Sequence, residues 1–542
     1  MDTVKQQKGS GDGGASGDGG GESSRRRSSR HRGAGGQRTP LPYRVSDHIT
    51  EGLVYAMVLF SPWAFGTTRS WAVWCMNGAA YALGVLLVTK WVVRWRTGYQ
   101  PERWGESRSG WMPAALASLT VLLLGWCLIS AINLRATFIE DERRFLFEPR
   151  FIAWLPHSYD GPASWFSFWT YLGMSSSFWA VRDWLLGKTR QERHRQEHGS
   201  GGSESEGGED EPGEFAVRTH EAGAGSGHRV PRIPLRLRRL LWLICINGAL
   251  VSLEGILQRL DGTDKLLWVL RPHFNIYAEL QFGPYAYRAN GAQYLNLIWP
   301  LAIGFWWTLR RTARAGGRAG GRRGGDAHVV LIPCAVITAA GPIVSTSRGA
   351  ALVAAGILLG TLAIQMLANR GRWRTQLGIL LAVLAGLGLG LYLGWEQLAP
   401  RLKLMLEGDT SNRREIYSNS QEMTKEFGWL GSGPGTFGSL YHLYLTDTAQ
   451  RWEAWAHDDY LETQITFGKL GLIIILATMA LCVCKWFVPG GIPASWVLVG
   501  SIWLALAGVL THARVDFPLQ VHSVLFLFIL LCCVSFTTTR TR

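Results

Sequence analysis

The chain has 542 residues, of which 47% are hydrophobic and 26 are tryptophan, and its formal charge is +15. Repeated apolar stretches of about 20 residues, enough to cross ~30 Å of hydrocarbon, exclude an ordinary soluble globular protein. The positive charge lies mainly near the start of the chain and in loops between apolar stretches, where orientation signals belong, so no nucleic-acid partner is implied.

Residues 1–45 and 188–235 are rich in Gly, Ser, Arg and acidic residues. They hold too little apolar surface to fold alone and are expected to be disordered. No cleavable signal-peptide pattern opens the chain, and the first apolar stretch is expected to target it. An all-α polytopic membrane protein of about twelve transmembrane helices is predicted from length and hydropathy. The spans are expected at Ile49–Thr67, Trp71–Val93, Trp111–Leu134, Ser164–Leu186, Arg239–Leu260 and Ala289–Leu309. The second half adds Val329–Thr346, Gly349–Leu367, Leu377–Gly394, Phe467–Val488, Ala494–His512 and Pro518–Phe536. With that count, Arg25–Arg27, Arg94, Arg96, "RRTARAGGRAGGRRGG", "NRGRWRTQ" and the terminal "TTTRTR" all share one face. That face is expected to be cytoplasmic, with both termini inside. The opposite face receives Arg135–Ala163, Asp261–Arg288 and a long loop, Trp395–Thr466. The eight cysteines (Cys75, Cys127, Cys245, Cys334, Cys482, Cys484, Cys532, Cys533) all fall in apolar stretches without CxxC spacing, and are read as small buried hydrophobes.

Several stretches on the outer face could carry chemistry. In "STSRGAALVAAG", Arg348 sits where two spans turn. It is either an anchor snorkelling to headgroups or part of an anion site, with Gly349 allowing close approach. In "GDTSNRREIY", Asn412 and Glu415 read as a capping box, placing Arg413 and Arg414 in a first helical turn. Arginine is unfavourable there unless an anion joins it; the other reading is a solvated charge pair. "GWLGSGPGTF" is turn-rich, and it lacks the Lys-Ser/Thr of a nucleotide loop. In "AWAHDDYLETQITFGKLGL", His457 is followed by Asp458, Asp459 and Glu462. A carboxylate accepting from one ring nitrogen would leave the other free as a base; metal ligation is the alternative. "THARVDFPLQVH" adds His512, Arg514 and Asp516 as support, and Arg288 lies at the mouth of the sixth span. Several arginines with one base suit a diphosphate substrate and a nucleophile to be deprotonated. No Asp-x-Asp pair occurs, which argues against the usual metal-assisted sugar-nucleotide chemistry.

Taken together, "STSRGAALVA", "NRREIY", "GWLGSGPGTF", "AHDDYLETQITFGKLGL" and "DFPLQ" resemble the O-antigen ligase and polymerase superfamily, from about Leu240 to the C-terminus. The resemblance implies a GT-C-type bundle over residues 236–536, with a periplasmic catalytic loop at 395–466, further helices at 46–187 and a short cytoplasmic tail at 537–542. It implies a bacterial inner-membrane glycosyltransferase, metal-independent, inverting and without cofactor. The donor would be a glycan on undecaprenyl diphosphate. The acceptor would be a hydroxyl of the lipid A core, of another glycan, or of another molecule. Arg348 and Arg413, or Arg414 in place of Arg413, match the family's diphosphate-binding arginines, and His457 matches its base. Where the family commonly has His-Asn, this chain has His457-Asp458. A repeat-unit polymerase of the same fold is the first alternative. A transporter is the second, with Glu254 and Gln258 as its best intramembrane candidates.

Overall fold

A computed structural model describes residues 39–101, 110–189, 192, 233–317, 326–369, 373–406, 411–446 and 452–540. Most of the segments expected to be disordered, 1–45 and 188–235, therefore lie outside the described residues. The fold is mostly helical, and helix covers every apolar stretch expected to span.

The helices are α1 (Leu41–Trp63), α2 (Ser70–Thr97), α3 (Trp111–Ile132), α4 (Gly161–Leu185), α5 (Leu235–Asp261), α6 (Arg288–Asn296) and α7 (Trp299–Gly317). They continue with α8 (Leu331–Val344), α9 (Arg348–Ala368), α10 (Trp373–Leu406), α11 (Ser411–Glu426), α12 (Asp459–Cys484), α13 (Trp496–His512) and α14 (His522–Thr537). Among the described residues, six stretches are long and apolar enough to cross a membrane: Ser70–Thr97, Trp111–Ile132, Leu235–Asp261, Ala327–Val344, Arg348–Ala368 and Asp459–Phe487. α13 and α14 are apolar but shorter.

Several boundaries differ from expectation. α1 begins at Leu41, so residues 41–45 are helical rather than tail. Pro40 and Pro42 open it, where proline's missing N–H costs nothing. At the other end, Thr538–Arg540 pairs in parallel with Ile492–Ala494, so this stretch of the expected tail is a strand whose backbone is hydrogen-bonded. The expected sixth span is interrupted at residues 297–298, between α6 and α7, and Pro300 follows at the new helix start. Two cysteines, Cys75 and Cys484, are exposed rather than buried, because they lie on outward faces of their helices.

α14 is buried on nearly every side, as a helix apolar all round should be. It packs on α4 and α12 and so joins the first helices to the last. Near one end of the bundle, Lys90 of α2 sits 2.9 Å from Asp47 of α1 and 3.3 Å from Asp183 of α4. Arg94 lies 2.6 Å from Asp183, and Arg236 of α5 pairs with Asp47. Near the other end of α5, Arg259 donates to the Ser345 carbonyl at 3.3 Å, beside the start of α9. The charge cluster and the start of α9 therefore lie toward opposite ends of α5.

α12 is broken at Gly468, whose φ is +69°. The freed carbonyls of Ile465 and Thr466 accept from the N–H groups of Ser432 (2.8 Å) and Gly433 (3.0 Å). In return, Lys469 N–H donates to Gly428 at 3.1 Å. A Cβ at Gly431 would lie 2.4 Å from the Thr466 oxygen, and one at Gly468 2.2 Å from the Trp429 oxygen. The glycine-rich "GWLGSGPG" thus does more than turn the chain: it satisfies the backbone groups that the break leaves open. Beside this clasp, one face of α11 is buried (Ile416, Asn419, Ser420, Met423) at helical spacing, continued by Phe427 just after the helix.

Candidate active site

Local structure before α12 sets the direction of His457. Asp458 caps the helix, its Oδ1 accepting from the N–H groups of Tyr460 (3.0 Å) and Leu461 (3.1 Å). His457, just ahead of the cap, has φ +52°, uncommon for a residue with a side chain. The carbonyl of His457 accepts from the Tyr417 hydroxyl at 3.1 Å. Glu462 accepts from Ala456 N–H at 2.9 Å, and Asp459 accepts from Leu519 N–H at 2.9 Å. These carboxylates fasten backbone and do not orient the imidazole.

That task falls to Asp516, 59 residues later. Its Oδ1 lies 3.1 Å from His457 Nδ1. A carboxylate only accepts, so Nδ1 carries the proton in this pair and Nε2 keeps its lone pair. The other oxygen, Oδ2, accepts from the Tyr287 hydroxyl at 3.0 Å and lies 3.4 Å from His512 Nε2 and 3.7 Å from Arg413 Nη2. Burial alone would raise Asp516, but the hydrogen bond from His457, the nearby His512 ring and the charge of Arg413 outweigh it. The group is held well below the usual carboxylate range. Burial likewise opposes the charge of Arg413, and Asp516 beside it more than compensates, leaving the guanidinium more firmly protonated. Asp458 moves the other way: burial raises it against its two backbone donors and Arg514, which sits at 3.2 Å.

Each expected residue can now be placed. His457, Asp516 and Arg413 meet directly. Arg413 also donates to the Val515 carbonyl, and its i+4 neighbour Tyr417 reaches the same site. α11 begins at Ser411, so Asn412 is inside the first turn rather than the cap. Arg414, turned about 100° further round the helix, is exposed, and among the described residues it makes no hydrogen bond or ion pair with the cluster. Arg348 opens α9, and the next residue, Gly349, faces His512: a Cβ there would be 2.7 Å from the ring Cε1. Arg288 opens α6 and donates to the Glu279 carbonyl at 2.6 Å, next to Tyr287. Both therefore flank the cluster through a neighbour. Tyr287, Tyr417 and Phe517 were not singled out from sequence; only the i+4 spacing of Arg413 and Tyr417 could have pointed to one of them. Glu254, near the outer end of the fifth span, is buried against the Gly283 turn. Gln258 donates to the Lys265 carbonyl at 3.3 Å.

The cluster can hold an imidazole as a base beside a guanidinium, an arrangement suited to deprotonating one group while stabilising negative charge on another. No curated protein matches the chain. A family described as O-Antigen ligase matches residues 333–476, from α8 through most of α12, which include Arg348, Arg413 and His457. Residues 333–476 are thus similar to the O-antigen ligase family, within a chain whose apolar helices mark a membrane protein.

Proposed function

We propose that the protein is a metal-independent, inverting glycosyltransferase of the bacterial inner membrane, with twelve helices crossing and the His457 cluster on the periplasmic face. The donor is a glycan carried on undecaprenyl diphosphate. The acceptor oxygen attacks the anomeric carbon while its proton passes to His457 Nε2. The bond from that carbon to the diphosphate oxygen breaks, and the diphosphate leaves with the electron pair. Arg348, Arg413 and Arg288 meet its charge. Arg413 can exchange its Asp516 contact for a phosphate oxygen without leaving the cluster.

The observation that carries this reading is the Asp516–His457 pair, 3.1 Å apart, with a guanidinium on the same carboxylate. An ionised, buried partner on Nδ1 makes Nε2 the basic atom. Ligation onto the lipid A core is the preferred outcome, on the family match, and repeat-unit polymerisation uses the same site.

The test is complementation of a deletion strain, read by surface-glycan analysis. His457→Ala is expected to reach the membrane at normal abundance and transfer no glycan. Normal surface glycan in that strain would remove the proposed base. In the deletion itself, absence of long chains on lipid A assigns a ligase, and single-repeat glycans assign a polymerase.

A further inference from the structure

Beside His457 stands a stack of aromatic rings that the transfer step does not use. Phe517 is parallel to Tyr287 (centroids 5.4 Å apart, planes at 9°) and to Trp455 (5.7 Å, 19°). The His457 ring meets Phe517 edge-on at 4.8 Å. Tyr287 is held from below by Asp516, so the stack shares its anchor with the imidazole. Trp455 is the outermost ring. One of its faces lies on Phe517, yet the residue is 37% exposed, and among the described residues no other ring or cation covers it. It is two residues from His457 and three from Asp458, whose carboxylate carries the exposed Arg514.

A flat aromatic ring with one face open beside a polar cluster offers a ligand an apolar surface. A π face carries negative charge density and attracts polarised C–H groups. The apolar face of a pyranose presents several such C–H groups together, with hydroxyls around its rim. A serine or threonine hydroxyl, or a lipid alcohol, presents no such face.

We propose that the open face of Trp455 is the acceptor platform: a pyranose ring lies on it and directs a rim hydroxyl to His457 Nε2. This rests on the transferase reading above and narrows its acceptor to a sugar hydroxyl. Phe517 and Tyr287 are positioning residues that keep the platform at a set distance from the imidazole.

The experiment uses the full chain in lipid nanodiscs with methyl β-D-glucopyranoside as probe, read by saturation-transfer difference NMR. Saturation is expected on the C–H groups of one ring face in the wild type. It should fall roughly tenfold in Trp455→Ala, which removes an aromatic contact. Trp455→Leu keeps apolar bulk on Phe517 without the π face and should lose the signal equally. Trp455→Phe should keep most of it. Equal signals in the wild type and the Leu variant would overturn the platform, even if the Ala variant folds poorly. The same variants are then scored for surface glycan beside His457→Ala. Glycan lost in His457→Ala but unchanged in Trp455→Leu rejects the platform and leaves the transferase standing. Glycan retained in His457→Ala rejects the transferase, and with it the acceptor assignment, whatever the NMR shows.

Discussion

As the proposed base, His457 depends on where Asp516 sits. The carboxylate is buried, takes hydrogen bonds from the His457 imidazole and the Tyr287 phenol with the His512 ring 3.4 Å away, and stays ionised far below the usual range. Asp516→Asn keeps the shape but replaces a pure acceptor with a group that can also donate, so the imidazole tautomer is no longer set. Transfer is expected to fall on the order of a hundredfold, the scale of a general base, in a membrane assay of glycan transfer. The same substitution has a pH signature. A carboxylate whose folded pKa is depressed stabilises the fold above its unfolded pKa of about 4, and that contribution is lost as pH falls toward the folded value. The gap in unfolding temperature between wild type and Asp516→Asn should therefore be widest near neutrality and close progressively below about pH 4. The two adjacent arginines separate just as cleanly. Arg413→Ala removes a charge-assisted contact worth about 1.5–3 kcal/mol and should lower transfer roughly tenfold or more. Arg414→Ala changes an exposed side chain and should stay within about 0.5 kcal/mol of wild type. The reverse ranking in the same assay would move the diphosphate to Arg414.

At the scale of elements, the site depends on two helices ending where they do. α12 breaks at Gly468, and residues 428–433 bond into the break, which ties α11 to the short helical segment that follows His457. The segment reads as a simple turn in the sequence because its partners are backbone groups some 35 residues away, which no local pattern reports. Gly431→Ala would place a methyl against a carbonyl in a left-handed conformation. We expect a loss of about 1–3 kcal/mol or more, seen as a lower unfolding temperature in detergent. Gly52→Ala in α1, where a Cβ meets nothing within 4 Å, serves as the control and should be neutral or slightly stabilising. An equal response at both positions would mean that the clasp does not hold α12.

Across the whole molecule, charge is concentrated near both ends of the bundle but used differently. The arginines expected near one end read from sequence as an orientation signal. Three cations, Lys90, Arg94 and Arg236, are also buried against Asp47 and Asp183, stitching α1, α2, α4 and α5 together. Removing one partner leaves an uncompensated buried charge, so Asp47→Ala should cost about 3–5 kcal/mol. Thermal unfolding checks this, and a change under about 1 kcal/mol would reduce the cluster to a surface pairing. The sequence alone determined the membrane class and the helical stretches, and it named residues with the chemistry of a base and of anion binders, because apolar length and side-chain chemistry are local properties. The expected start of the tenth span, Phe467, falls one residue before Gly468, but the break in α12 there was not expected from the sequence. Only the tertiary structure decided that Asp516, not Asp458, orients His457, that Arg413 faces the cluster while Arg414 faces away, and that Tyr287 and Phe517 take part. Those facts depend on which faces of distant helices meet, and that is set by the packing of the whole bundle rather than by any run of neighbouring residues.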